Sequence, residues 1–227
     1  MIRSWLQQWY ALVCKDLRLA WRGGARIQAQ LAFGTLVLVL FSFAVGPQPN
    51  MLRRLAPSFL WLATLLASVL GLNESMRHET EHGAWEGLRL LGVDARALFL
   101  GKAVANALGL VVLMALLLPL SLALFDAELV LGWRPLLPIL LLGIGAIAVP
   151  GTLYAAMAAQ ARGGDVLLPL LLFPIVVPGL LAAVRASLVI FAGDPMGELA
   201  SWRALLVAIN LVYWTLCTAL FHKVVET

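Results

Sequence analysis

Two long stretches without a charged side chain constrain this sequence more than any other feature. Leu55–Leu72 and Ala103–Phe125 contain no Asp, Glu, Lys or Arg. Each is close to the roughly 20 apolar residues that a helix needs to cross a hydrocarbon core, whereas soluble cores are built from shorter, periodic runs. The chain is also 62% hydrophobic and 12% charged, against about 45–50% and roughly 25% in a soluble domain. The sequence therefore predicts an integral membrane protein.

Apolar segments of this length recur along the chain, so we predict an all-α, single-domain protein with six transmembrane helices in a bundle over residues 27–222. The predicted spans are Ile27–Val45, Leu55–Leu72, Leu98–Phe125, Leu136–Ala161, Val166–Val184 and Ala204–Phe221.

The basic residues in the short flanks of these spans predict the orientation. With the N-terminus inside, 11 of the 16 Lys and Arg residues fall on the inner side, as expected for cytoplasmic flanks. The pair Arg53–Arg54 falls on the outer side and opposes the trend. We expect both termini to face the cytoplasm.

Residues 1–26 precede the first span and have a different pattern. Ile2, Leu6, Trp9 and Val13 recur at helical spacing, with basic residues off that stripe. A basic amphipathic helix of this kind lies in the inner membrane interface, and the same stripe could pack against protein instead. Lys15 and its charged neighbours also interrupt the apolar region that a cleaved signal would need.

Proline is concentrated in the fifth span, at Pro169, Pro174 and Pro178. Each proline removes a backbone donor, which a membrane helix tolerates where neighbours or water satisfy the freed carbonyl. Two interpretations stay open: a kinked, packed helix, and a bent or interrupted helix beside a pathway.

Motifs for catalysis, metal binding and ion coupling are weak or missing. Gly101–Lys102 lacks the first glycine and the final Ser or Thr of a nucleotide-binding P-loop, and no serine lies in a G-x-S-x-G elbow. His78 and His82 could share a helical face, but a solvated surface explains them better than a metal site does. No ionisable residue lies deep in a predicted span, since Lys102 is near the inner end of the third. The polar exceptions are Asn106 and Asn210, and a helix–helix hydrogen bond accounts for each as well as a function does. We therefore predict no enzyme, no directly bound cofactor and no metal site, and nucleic acid is a poor candidate partner.

A charged segment between the second and third spans needs an explanation. "ETEHGAWEGLRLLG", Glu79–Gly92, combines acidic and basic side chains with a central tryptophan. At helical spacing Glu81, Trp85 and Leu88 share a face, and such a helix suits a groove on a soluble partner. The alternative is a surface linker with an apolar patch.

The sequence resembles the heme exporter protein B family, the membrane subunit of the cytochrome c maturation ATP-binding-cassette transporter. Residues 45–79 resemble the family's G-P-x-P loop and second span, and 162–183 resemble its R-G-G loop and proline-bearing fifth span. Residues 82–102, "HGAWEGLRLLGVDARALFLGK", resemble its D-G-x-L-E-x-L-x-L-x-P stretch, although His82 replaces the usual Asp, Trp85 the usual Leu and Val93 the proline.

This resemblance implies that a separate soluble ATPase dimer binds the inner face of a permease, with residues 78–92 as its coupling helix. The implied ATPase-coupling residues are Glu79, Glu81, His82, Gly83, Trp85, Glu86 and Leu88, and the residues that shape the outer loop are Gly46, Pro47 and Pro49.

The resemblance further implies a bacterial inner-membrane complex with a haem-handling subunit, a small membrane subunit and a haem chaperone. ATP would bind the partner subunit, and haem would be cargo. Export of haem and release of haem-loaded chaperone both stay open. So do an exporter permease for a lipid-linked polysaccharide or drug, and a membrane assembly factor that transports nothing.

Overall fold

A computed structural model describes residues 10, 13–15, 24–81, 94–161 and 164–226. The predicted interfacial helix at residues 1–26 lies almost entirely outside this set. The described chain forms helices α1 (Gly24–Val45), α2 (Pro49–Glu81), α3 (Ala95–Phe125), α4 (Trp133–Gln160), α5 (Gly164–Ala192) and α6 (Glu198–Glu226).

All six of these helices are long and apolar enough to cross a membrane. The predicted all-α fold with six transmembrane helices is therefore confirmed, and the protein is a multi-pass membrane protein. Several helices run further than the predicted spans: α2 starts at Pro49 rather than Leu55, and α5 ends at Ala192 rather than Val184. The ends of these helices coincide with local turn signals, since Pro49 is the first residue of α2 and Gly193, at a positive φ of 96°, follows α5.

The helices alternate in direction, which gives the bundle two ends. The loop end carries three connections, at residues 46–48, 126–132 and 193–197. At the opposite end, which we call the terminal end, α1 begins, α6 ends and residues 82–93 connect α2 to α3.

Helix α4 lies at the centre of the bundle. About 78% of its most apolar window is buried, against 17% for α1 and 22% for α6. Its glycines explain how closely its neighbours approach, because a Cβ at Gly143 would overlap the Trp61 indole, and one at Gly145 would overlap the Asn210 side chain. Glycine thus allows α2 and α6 to pack directly on the α4 backbone.

Candidate functional site

The charged segment of the sequence joins two helices at the terminal end. Helix α2 ends at Glu81, and α3 begins after Asp94, whose side chain caps it by accepting a hydrogen bond of 2.8 Å from the Arg96 amide. Glu79 lies in the last turn of α2. The other predicted coupling residues lie outside the described residues: His82, Gly83, Trp85, Glu86 and Leu88.

The first turns of α3 are packed inside the protein rather than exposed at its edge. Ala97, Leu98 and Phe99 are buried, and the Phe99 ring lies 5.0 Å from the Phe221 ring near the end of α6. Lys102 is also buried, with 3% of its surface exposed. The residues that follow the charged segment are therefore held firmly by the bundle.

One turn further along α3, the side chain of Asn106 connects three helices. Arg26 of α1 donates from Nη2 to Asn106 Oδ1 over 3.2 Å, and Asn106 Nδ2 donates to Thr152 Oγ1 of α4 over 3.0 Å. The Thr152 hydroxyl in turn donates to the Ala148 carbonyl over 2.7 Å. The sequence left a helix–helix hydrogen bond and a function as alternatives for Asn106, and the structure shows the helix–helix hydrogen bond.

A second polar contact lies beside this network. Gln30 of α1 is 4% exposed and donates from Nε2 to the Ala67 carbonyl of α2 over 3.2 Å. Gly71 makes room for it, since a Cβ there would overlap the Gln30 amide. A small cavity of about 30 Å³ is lined by Gln30 together with Ser68, Ser75 and Asn106.

Sequence reasoning singled out Asn106 but missed Gln30 and Thr152. Thr152 is an isolated polar residue in an apolar run, which is the signal that could have found it, whereas Gln30 lies close to Gln28 and Arg26 at the start of the first span. Asn210, the other predicted exception, donates to the Leu142 carbonyl of α4 over 2.9 Å and so links α6 to the central helix.

The predicted outer-loop residues form the connection between α1 and α2. Gly46 has a positive φ of 70°, and its carbonyl accepts from the Gln48 amide over 2.8 Å. Pro47 follows in the turn, and Pro49 is the first residue of α2, where a missing amide hydrogen costs nothing. The three residues give a tight reversal at the loop end.

The three prolines of the fifth span lie inside one continuous helix, α5. Pro174 and Pro178 lie on its exposed side, and Pro169 is half-buried. Between them, the Ile175 carbonyl accepts a hydrogen bond from the Tyr213 hydroxyl of α6. One sequence interpretation allowed an interrupted helix, but the structure shows no interruption over Gly164–Ala192.

Comparison with known proteins agrees with this architecture. A family model described as "CcmB protein" matches residues 7–226. "Heme exporter protein B" of Paracoccus denitrificans is 35% identical over 202 residues, which cover 87% of this chain and 91% of the relative. "Heme exporter protein B" of Pseudomonas aeruginosa is 34% identical over 203 residues, 88% of this chain and 89% of the relative.

A third relative with the same name, from Rhodobacter capsulatus, is 38% identical over 171 residues, 75% of this chain and 78% of its own length. The family match spans almost the whole sequence, including all six helices and the charged segment between α2 and α3. On this evidence the chain belongs to the CcmB protein family.

Proposed function

We propose that the protein is the permease subunit of an ATP-driven complex that exports haem, or releases a haem-loaded chaperone, during c-type cytochrome biogenesis. The observation that carries this proposal is the family match over residues 7–226, with relatives called heme exporter proteins that align over most of their own length. The six membrane helices supply the architecture that a permease needs.

ATP hydrolysis is assigned to a separate soluble subunit. The chain has no P-loop, since Arg96 stands where its first glycine would be. We propose residues 78–92 as the contact with that subunit, because their charged and aromatic composition suits a groove on a soluble partner. This contact would lie at the terminal end, on the cytoplasmic face of a bacterial inner membrane.

Movement of that segment would reach the centre of the protein through α3. The segment leads directly into the buried first turns of α3, and Asn106 joins α3 to α4 through Thr152. Helix α4 in turn contacts α2, α5 and α6. A displacement at the terminal end would therefore be passed to the helix that most of the bundle packs against.

The remaining partners follow from the same proposal. A haem-handling membrane subunit, a small membrane subunit and a haem chaperone would complete the complex, while this chain itself holds no resident cofactor. Its role is to transmit force, with haem as cargo.

The coupling contact is tested with Trp85→Ala combined with Glu86→Arg, in the complete complex expressed from its own genes. We expect the ATPase to be lost from the purified complex, and c-type cytochrome content to fall with it. The matched control is Trp133→Ala combined with Arg134→Glu, which truncates a tryptophan and reverses a charge at exposed loop-end positions. If both double variants retain the ATPase and its normal turnover, the coupling assignment is wrong.

The orientation is tested by cysteine labelling of a chain in which Cys14 and Cys217 are replaced. A membrane-impermeant maleimide applied to spheroplasts should label Glu128→Cys at once, and Ala84→Cys after the membrane is permeabilised. Labelling of Ala84→Cys in intact spheroplasts would place the charged segment outside, away from any cytoplasmic ATPase.

Deletion of the gene distinguishes this function from other exporter functions. We expect loss of c-type cytochromes, restored by the wild-type chain. Normal cytochrome content in the deletion strain would favour an exporter of another substrate.

A further inference from the structure

A cavity of about 560 Å³ opens at the loop end, away from the proposed ATPase contact. It lies between the start of α2, the loop after α3, the end of α5 and the start of α6. Binding sites for small organic molecules typically have volumes of about 300–1,000 Å³. The cavity is therefore large enough for a ligand of that class.

Specific contacts hold the walls of this cavity in place. The Leu131 amide in the loop after α3 donates to the Ile190 carbonyl of α5 over 3.1 Å. Arg53 of α2 forms an ion pair with Asp126 in the same loop. Gly193, at a positive φ of 96°, turns the chain from α5 toward α6. Three separate elements are thus fixed around one opening.

Three arginines line the cavity: Arg53, Arg54 and Arg185. Arg53 is compensated by Asp126 and by the nearby charge of Glu128. Within the part of the chain that the structure describes, Arg54 and Arg185 have no hydrogen bond or ion pair. Two guanidinium groups in the wall are therefore available to a ligand.

The other acidic groups in the wall are already engaged. Asp194 caps α6, accepting from the Glu198 amide over 2.7 Å and from the Leu199 amide over 3.2 Å. Glu198 accepts from Trp202 Nε1 over 3.4 Å. These bonds orient the two carboxylates without removing their charge, and with Glu128 they match the three arginines in formal charge. Among the arginines of the wall, Arg54 and Arg185 are the two that no hydrogen bond or ion pair to a described residue holds.

The position of Arg185 is unusual for a charged residue. It lies in α5 seven residues before the helix ends at Ala192, which is about 10 Å along the axis, and within a span that is otherwise apolar. Charged residues within membrane spans are costly and mark functional positions. A role in binding would explain why an arginine occupies this depth.

Most of the remaining lining is apolar. Val130 and Met196 are 63% and 83% exposed, and Leu188 and Val189 of α5 continue the same wall. We propose that this cavity binds an anionic amphiphile, whose carboxylate or phosphate pairs with Arg54 and Arg185 while its apolar part covers Val130, Leu188 and Met196. Guanidinium groups bind both anions through paired hydrogen bonds.

Two molecules present in or near such a membrane have this chemistry. Haem carries two propionate carboxylates on an apolar macrocycle, and an anionic phospholipid carries a phosphate on acyl chains. The proposal does not depend on transport, because either ligand could bind a chain that moves nothing.

The test uses the full chain in maltoside detergent, with hemin as one probe and phosphatidylglycerol as the other. Hemin binding is followed by its absorbance change, and retained phosphatidylglycerol by native mass spectrometry against phosphatidylcholine. In Arg54→Gln combined with Arg185→Gln, we expect affinity for the preferred probe to fall about tenfold or more, as for the loss of charge-assisted hydrogen bonds. The matched control is Arg134→Gln combined with Arg203→Gln, two exposed loop-end arginines outside the cavity.

Each outcome decides the proposal. Weaker hemin binding in the cavity variant alone identifies a haem site, and weaker retention of phosphatidylglycerol alone identifies a lipid site. Equal binding of both probes by the wild type, the cavity variant and the control overturns the proposal. If the cavity variant binds less but a strain carrying it makes normal c-type cytochromes, the site stands and is independent of the proposed export function.

Discussion

The interior of the bundle and the loop-end cavity both contain polar groups within membrane helices, but the two regions differ in whether those groups have hydrogen-bond partners. In the interior, Asn106 is bonded to Arg26 and Thr152, and the Trp61 indole donates to Ser187 Oγ over 2.9 Å. In the cavity, Arg54 and Arg185 face an open volume with no partner among the described residues. Paired polar groups indicate a structural role, whereas unpaired charges in a cavity indicate binding.

The largest expected effect tests how tightly the interior is packed. Gly143→Ala places a methyl group against the rigid, buried Trp61 ring, and overpacking of this kind costs about 1–3 kcal/mol. Gly109 is the control, because a Cβ there meets nothing within 4 Å, and Ala in a helix gains about 0.5–1 kcal/mol over Gly. Thermal melting in detergent, monitored by size-exclusion chromatography, should show a lower melting temperature for Gly143→Ala and a higher one for Gly109→Ala. Equal melting of both variants would contradict the close packing of α2 on α4.

The next effect concerns the polar network at the terminal end. Asn106→Ala leaves both Arg26 and Thr152 without their shared partner, and we expect a loss of about 1–2 kcal/mol. Thr215→Ala is the control, because that hydroxyl faces outward and bonds to its own helix at the Leu211 carbonyl. A network that matters to coupling should also show reduced ATPase stimulation in the complex carrying Asn106→Ala. Melting identical to that of Thr215→Ala would remove the distinction between interior and surface polar groups.

A smaller effect is expected at the edge of the cavity. The Arg53–Asp126 pair is exposed, with 49% and 76% of the two side chains accessible, so solvent and salt screen most of its attraction. A double-mutant cycle with Arg53→Gln and Asp126→Asn should give a small coupling at low salt that disappears at high salt. A large coupling that persists in high salt would mean that this pair behaves like the interior network.

The smallest effect on stability is expected inside the cavity itself. Arg54→Gln and Arg185→Gln remove charges that have no protein partner in the described chain, so melting should match the wild type while ligand binding falls. Arg134→Gln should change neither property. Strong destabilisation by Arg185→Gln would show that this arginine stabilises the fold, and the cavity would then not differ from the interior of the bundle.

The six spans could be predicted because a membrane helix requires a long, uninterrupted apolar run, which is visible in the sequence. Their ends could not, since hydropathy falls at Arg53 and Arg185 while the helices continue through both residues. The charged segment between α2 and α3 was also visible in the sequence, as a polar insertion between two such runs.

The cavity was beyond reach of sequence reasoning. It is assembled from residues near 50, 130, 190 and 195, which approach one another only through the packing of four elements. In the sequence, Arg53 and Arg54 are an exception to the charge rule, and Arg185 lies just outside the predicted fifth span. In the structure these three arginines line the same cavity, so one feature accounts for all three positions.

Helix α4 depends for part of its enclosure on α6, a helix that is synthesised after it. Helices leave the ribosome in sequence, so α4 enters the bilayer when α1–α3 are present and α6 has not yet been made. Until then Gly145 and the Leu142 carbonyl, which Asn210 of α6 covers, lack that cover. The last helix synthesised therefore completes the burial of the fourth, and a chain truncated before α6 would present that uncovered surface to chaperones and membrane proteases.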